Sequence, residues 1–355
     1  MGIHCQINLF KPPDGAFSTG STVSGVIKYG VDEVTVFDKI VVSLKGQGVL
    51  IVHDEHRRRD KRHETFRHTE TYVDIDNITN NEKKSSHEIG MYETRFDFKL
   101  PDNIPSSLHY YGRNTRYRIK CNIIYYIRIK FERPGFLQFA KRFKKELTVV
   151  SAIKPTLLTE PVIYGEQKKL FQLFSKRNNV VKIKATIRNS VISPGGQIDL
   201  EYEVSNDTNL TINGVETKLV EIYTFKTYGG REIKMINDID STDSKTGSIK
   251  SDEKQNFDLL MNVPSDKTSL GFSNIVARNY FVRITTELPF PHINAVLEIP
   301  VEISDVIQEN HDPLQGTEIG QGPPDYNDPP PSYWVVMGEE SKDDEFESEK
   351  EIEKL

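Results

Sequence analysis

The stretch YRIKCNIIYYIRIKF, residues 117–131, alternates apolar and polar side chains over most of its fifteen positions. Successive side chains of a β-strand point to opposite faces, so a period of two gives one face to a core and the other to solvent. VTVFDKIVVSLKGQGVLIV (34–52) and VKIKATI (181–187) show the same period. Between such runs lie turn signals, among them SPGG (193–196) and Asn213-Gly214. Long helical periodicity is almost absent, which makes an all-β sandwich architecture the natural expectation.

An internal repeat sharpens this expectation. FSTGSTVSGVIKY (17–29) aligns without gaps on ISPGGQIDLEYEV (192–204), placing Ser18 on Ser193 and Gly20 on Gly195 at an offset of 175, which also carries Leu44 onto Leu219. Farther along, Leu100-Pro101 matches Val263-Pro264 and Tyr117-Arg118-Ile119 matches Tyr280-Phe281-Val282, now at an offset of 163. The repeat predicts two similar sandwiches in tandem. The first copy is longer by twelve residues between these anchors, an excess assigned to a polar arm at 53–70 together with 74–84.

The expected organisation is an N-terminal sandwich over 1–153, a linker over 154–179, a second sandwich over 180–304 and a disordered tail over 305–355. The linker is read as a surface segment whose Leu170, Phe171, Leu173 and Phe174 bury against the interface between the sandwiches. The tail carries fifteen acidic against three basic residues, so a chain of net charge -6 divides into a mildly basic body and an acidic, Pro-rich appendage. That basic excess is far below what a nucleic-acid binder carries. Cys5 and Cys121 show no zinc or disulfide spacing. The first ten residues, MGIHCQINLF, lack the layout of a signal peptide, and Gln6 stands where a myristoylation motif has Ser or Thr. These features predict a cytoplasmic protein, in which the sequons at Asn77, Asn206 and Asn209 are chance matches.

The tail contains PPDYNDPPPSYW (323–334), two copies of Pro-Pro-x-Tyr seven residues apart. Proline fixes φ and removes a backbone donor, favouring polyproline II, which aromatic-lined grooves of WW modules recognise at little entropic cost. The candidate contacts are Pro323, Pro324 and Tyr326, then Pro330, Pro331 and Tyr333. A second candidate is the basic cluster of Arg57, Arg58, Arg59, Lys61 and Arg62, read either as a contact for anionic membrane or phosphate or as a solvated hairpin tip. FLQFAKRFKKE (136–146) adds Lys141, Arg142, Lys144 and Lys145 beside Phe136, Phe139 and Phe143, read as a short interfacial helix or a β-edge tucked into the core. HETFRH (63–68) places its histidines five apart, one too many for a zinc-binding helical face, and DIDSTDSKTGSIK (238–250) holds Asp243 and Ile249 where a calcium loop needs Gly and Glu. No metal, cofactor or catalytic activity is expected.

SGVIKYGVDEVTVFDKIVVSLKGQG, LPDNIPSS, NTRYRIK, ISPGGQIDLEYEVSN and LEIPVEI, in this order and followed by the Pro-Pro-x-Tyr pair, resemble the arrestin-domain-containing proteins, or α-arrestins, over about residues 3–304 plus the tail motifs. The resemblance implies tandem curved β-sandwiches and a non-catalytic adaptor whose tail recruits the WW domains of HECT-type ubiquitin ligases to membrane receptors or transporters, with recruitment to plasma membrane and endosomes. The alternative is a coat-associated or retromer-like cargo-sorting scaffold, which has no need of the paired tail motifs. Some members trap thioredoxin through a cysteine of the second arrestin domain; residues 122–355 contain none, so that property does not carry over.

Overall fold

The computed structural model describes residues 2–55, 64–79, 85–135, 140–151, 153–170 and 179–304. These contain strands and no helix. In the first half they are β1 (Ile3–Leu9), β2 (Ala16–Ser18), β3 (Thr22–Val31), β4 (Thr35–Phe37), β5 (Lys39–Asp54), β6 (Glu64–Ile78), β7 (Ser85–His87), β8 (Gly90–Lys99), β9 (Leu108–Arg113), β10 (Tyr117–Glu132) and β11 (Lys141–Val150). The second half adds β12 (Val162–Lys169), β13 (Val180–Ile187), β14 (Val191–Ile192), β15 (Gln197–Asp207), β16 (Gly214–Lys226), β17 (Glu232–Asp238), β18 (Ser244–Lys245), β19 (Glu253–Asn262), β20 (Val276–Glu287) and β21 (Ala295–Ile303).

Each half is a sandwich. In the first, the sheet β1-β3-β8 packs on β2-β11-β10-β5-β6, with β9 paired to part of β10; in the second, β12-β13-β15-β19 packs on β14-β21-β20-β16-β17. The alternation of β10 works as its sequence predicts: Ile119, Cys121, Ile123, Tyr125, Ile127, Ile129 and Phe131 are all fully buried, while the residues between them face outward.

The repeat is physical down to its turns. Gly20 and Gly195 take φ of 76° and 77°, a left-handed conformation that costs a residue with Cβ. Phe17 and Ile192 each pair in parallel with the last strand of their own sandwich, opposite Val149 and Ile303. The Leu100 amide donates to the Ser21 carbonyl at 2.9 Å, and the Val263 amide does the same to Gly196 at 2.9 Å.

Three expectations need correction. First, Tyr280 matches Tyr125 rather than Tyr117. Leu44 pairs with Ile127 and Leu219 with Val282, which puts Tyr125 and Tyr280 in equivalent places, two residues earlier. Both are fully buried, and their hydroxyls donate to the carbonyls of Pro105 (2.7 Å) and Thr268 (3.2 Å). An alternating strand looks the same after any even slip, so the period that identified β10 could not fix its register.

Second, the twelve extra residues between Leu44 and Leu100 lie almost wholly in one hairpin, and the match of Tyr280 to Tyr125 adds eight more between Leu100 and Tyr125, where β9 is inserted. Leu44 pairs with Ile75, 31 positions on, whereas the Ile239 amide bonds to Leu219, 20 positions back, so eleven of the twelve additional residues extend β5–β6. Residues 53–54 and 64–70 are paired strand, and 74–78 continue β6.

Third, the region read as a linker contains β12, paired along its whole length with β13, and Leu170 is buried in the second sandwich's own core rather than at an interface. The Val162-x-Tyr164 alternation here is too short to stand out between Pro161 and the charged residues that follow.

Candidate docking surfaces

The residues singled out in the tail, Pro323, Pro324, Tyr326, Pro330, Pro331 and Tyr333, lie outside the described residues, as do Arg57, Arg58, Arg59, Lys61 and Arg62 of the basic cluster. The strand ends that frame the cluster are described. Asp54 is paired with Arg116 at 3.1 Å, and Glu55 with Arg113 at 2.8 Å and Arg118 at 3.4 Å. The base of the hairpin arm is thus held to the β9–β10 turn by compensated charge.

Of the second basic segment, Lys141–Glu146 belongs to β11, which favours the β-edge reading over a helix; Phe136 and Phe139 lie outside the described residues. Phe143 turns inward, its ring 6.2 Å from Phe131, and the alternation then sends Arg142 and Lys144 to the opposite face. There Arg128 stands across from Lys144 and Lys130 across from Arg142. Like charges directly opposite are unfavourable, and acids relieve part of the repulsion: Lys130 contacts Glu132 at 2.8 Å and Lys144 reaches Glu146 at 4.0 Å. Nearby, Lys45 bonds both Asp74 and Asp76, the latter at 2.7 Å. Hydrogen bonding to Lys45 holds the Asp76 carboxyl below its ordinary range.

The two sandwiches meet over a mixed interface that sequence reasoning did not find. Tyr110 of β9 stacks obliquely on Tyr223 and Phe225 of β16, with ring centroids 4.4 and 4.9 Å apart. These rings, with Ile233, Met235, Leu270, Ile275 and Val276, continue the core of the first sandwich into the second. Beside this apolar contact, Glu70 of β6 accepts hydrogen bonds from the Asn274 backbone amide (3.0 Å), Asn274 Nδ2 (2.6 Å), Ser273 Oγ (3.2 Å) and Tyr72 Oη (2.9 Å). His68 Nδ1 lies 3.1 Å from the Lys226 carbonyl and its ring meets Tyr228 edge-on, while Arg231 covers Phe66. His68, from the zinc-like HETFRH, is therefore an interface residue, and no group of residues able to hold a metal occurs among the described residues.

A cleft of about 280 Å³ opens where the connector crosses β20 and β21, lined mainly by apolar groups including Ile153, Leu157, Leu270, Phe281 and Pro300. Its floor is fixed by Glu302, whose Oε2 accepts from the Thr156 amide (2.8 Å), Thr156 Oγ1 (3.1 Å) and the Leu157 amide (3.3 Å). Asn206, which matches a sequon, is fully buried and donates through Nδ2 to the carbonyls of Leu210, Ile249 and Lys250 at 2.7, 3.2 and 2.9 Å. Its amide closes the 208–212 loop onto 249–250. The calcium-like stretch 238–250 is likewise used locally, with Asp238 bound to Lys218 at 2.7 Å and Thr242 Oγ1 donating to the Ile239 carbonyl at 2.7 Å. Burial pushes the thiols of Cys5 and Cys121 up to about 12, so both remain protonated at neutral pH.

The chain is similar to two family models, one over each sandwich: the arrestin (or S-antigen) N-terminal domain over residues 5–155 and the arrestin (or S-antigen) C-terminal domain over residues 177–308. It is also similar to a Caenorhabditis elegans relative, arrestin domain-containing protein 17, with 23% identity over 347 residues that cover 92% of this chain and 78% of the relative.

Proposed function

The chain belongs to the arrestin-domain-containing family, and from that premise we propose that it is a non-catalytic adaptor that brings HECT-type ubiquitin ligases to membrane receptors or transporters. The observation that carries this reading is the pair of Pro-Pro-x-Tyr motifs, Pro323-Pro324-x-Tyr326 and Pro330-Pro331-x-Tyr333. In each, the prolines and the tyrosine enter the grooves of a WW domain. Seven residues of polyproline II span roughly 22 Å, so two WW domains on this span crowd one another, and the second motif acts mainly by rebinding. The sandwiches hold the cargo, and tethering raises the local concentration of ligase at cargo lysines without chemistry in the adaptor. Ubiquitinated cargo then enters endocytosis and endosomal sorting. In this scheme the protein is cytoplasmic and joins the plasma membrane and endosomes with its cargo, and Arg57, Arg58, Arg59, Lys61 and Arg62 face the anionic leaflet.

The test is capture of isolated WW domains by the full chain. Tyr326→Ala with Tyr333→Ala abolishes capture and leaves the thermal unfolding of the body unchanged, whereas each single substitution leaves partial capture. Equal capture by the double variant and the parent would remove the adaptor reading.

A further inference from the structure

One end of the first sandwich displays a group of apolar side chains. Val34, Ile89 and Met91 are 56%, 66% and 76% exposed, and Val36 beside them is also exposed. β4 pairs with β7 through Thr35↔His87 and Val36↔Ser86, and the alternation that buries Thr35 and Phe37 turns Val34 and Val36 outward. Met91 stands across from Gly30, and a Cβ on that glycine would meet Met91 Sδ at 2.9 Å, so the thioether lies flat over the outer face of β3. The scaffold beneath is fixed. The His87 ring packs 4.7 Å from Tyr92 and 5.1 Å from Phe37, its Nε2 lies 3.3 Å from Tyr29 Oη, and the Tyr92 hydroxyl donates to the Glu88 carbonyl at 2.8 Å. Apolar side chains grouped on a fixed surface mark a place that a partner covers.

The charges around the group say which partner. Asp32, Glu33 and Glu88 stand among these side chains, whereas Lys28, on the same face of β3 as Gly30, is drawn to Glu93 at 3.9 Å. A second copy docking through the same surface about a two-fold axis would bring these carboxylates together, and an anionic leaflet would repel them. A polypeptide segment that is both apolar and basic satisfies the whole surface. We propose that this end of the first sandwich docks the Lys/Arg-rich juxtamembrane segment of a membrane cargo, whose apolar residues cover Val34, Ile89 and Met91 while its cations meet Asp32, Glu33 and Glu88. Cytoplasmic segments beside a membrane span carry an excess of Lys and Arg, and the adaptable thioether of Met91 suits segments of varied sequence. The position leaves the surface open in the two-sandwich body. β5 begins beside it at Lys39 and meets the second sandwich at Gly48, where a Cβ would lie 2.7 Å from Ile275 Cδ1, roughly 30 Å farther on at ~3.3 Å per residue. The proposal deepens the adaptor reading and rests on it for the source of the segment, but not for its test.

The experiment measures fluorescence anisotropy of a labelled synthetic peptide, with Leu on one helical face and Lys on the other, titrated with the full chain at low and high salt. Two control peptides carry Glu in place of Lys, or Ser in place of Leu; the second reports what the acidic tail captures by charge alone. Burying one large apolar side chain is worth about a tenfold change in affinity, so Ile89→Ser with Met91→Ser weakens binding of the Leu/Lys peptide roughly hundredfold and leaves the Ser/Lys control unchanged. Asp32→Asn with Glu33→Gln and Glu88→Gln weakens it about tenfold at low salt and little at high salt. Phe290→Ser with Ile293→Ser, which removes exposed apolar surface from the second sandwich, leaves it at the parent's level. Equal affinity in the parent and the Ile89→Ser, Met91→Ser chain, or a Glu peptide that binds as tightly as the Lys peptide, would overturn the proposal. So would a parent dimer that this variant dissolves, or parent binding to phosphatidylcholine vesicles that it abolishes, since the surface would then belong to a second copy or to lipid. Capture of WW domains by the same variant stays at the parent's level, which separates the two readings: WW capture without peptide binding removes this surface, and peptide binding without WW capture removes the adaptor.

Discussion

Replacing Glu70 with Ala tests whether the two sandwiches are mechanically one body. The carboxylate gathers four hydrogen bonds, three of them from Ser273 and Asn274 of the second sandwich and one from Tyr72 beside it. A hydrogen bond to a charged group contributes about 1.5–3 kcal/mol when its partner is left without a substitute. Here substitutes exist. Asn274 is exposed enough for water to replace the carboxylate, and Tyr72 Oη keeps Ser273 Oγ at 2.8 Å. The expected loss is therefore about 2 kcal/mol rather than the sum of four bonds. Urea unfolding of the full chain, followed by tyrosine fluorescence, measures it, and a double-mutant cycle with Asn274→Ala isolates the term that crosses the interface, expected at about 1 kcal/mol. In the parent the shared core around Tyr110, Tyr223 and Phe225 makes the two sandwiches unfold in one transition; Glu70→Ala combined with Tyr110→Ala separates it into two. Additivity within about 0.3–0.5 kcal/mol in the cycle, or a single transition in the combined variant, would refute the reasoning that this polar cluster couples the sandwiches.

The equivalent turn glycines should differ in a predictable order. Gly20→Ala and Gly195→Ala each incur about 1–2 kcal/mol for the left-handed backbone, but a Cβ at Gly20 also collides with Asp102 Oδ1, whereas at Gly195 the nearest atom is Ser265 Cβ at 3.5 Å. Chemical denaturation therefore ranks Gly20→Ala as the more damaging, and the reverse order would show that Asp102 moves aside freely. The pH dependence of stability carries a second signature. Because Lys45 depresses the folded pKa of Asp76, the contribution is present above the unfolded carboxylate value of about 3.9 and disappears as pH falls through the folded value. Lys45→Met flattens the acid limb of a stability–pH curve in that window, and an unchanged limb would exclude Asp76 as a contributor.

What could be read in the sequence follows from what each pattern encodes. The period of two found the strands and their buried faces, since every second position from Ile119 to Phe131 is interior. It could not place Tyr280 on Tyr125, because register depends on the partner strand. A further repeat escaped notice altogether: Ser107 and Ser269 each donate a backbone amide to the last strand, at Val149 and Ile303, and take that residue's amide on Oγ at 2.9 and 3.0 Å. Two isolated serines have no periodicity to betray them. Asn206 was hidden for a different reason, as its buried amide has the same local sequence as a surface sequon.

The largest gap concerns the hairpin arm, and its cause is physical. HETFRHTE is polar enough to look solvated, yet in β6 its alternate residues Phe66, His68 and Glu70 all contact the second sandwich. An interface between domains of one chain is more polar than a core, so a strand that forms one has a composition intermediate between buried and solvated. The eleven residues that lengthen β5–β6 beyond the second copy's hairpin extend the same two strands whose nearer parts make this contact. The difference between the copies thus falls in this hairpin and in the eight residues between Leu100 and Tyr125 that supply β9 and Tyr110, both of them parts with which the first copy meets the second, a surface that two sandwiches arranged in tandem require on one side only.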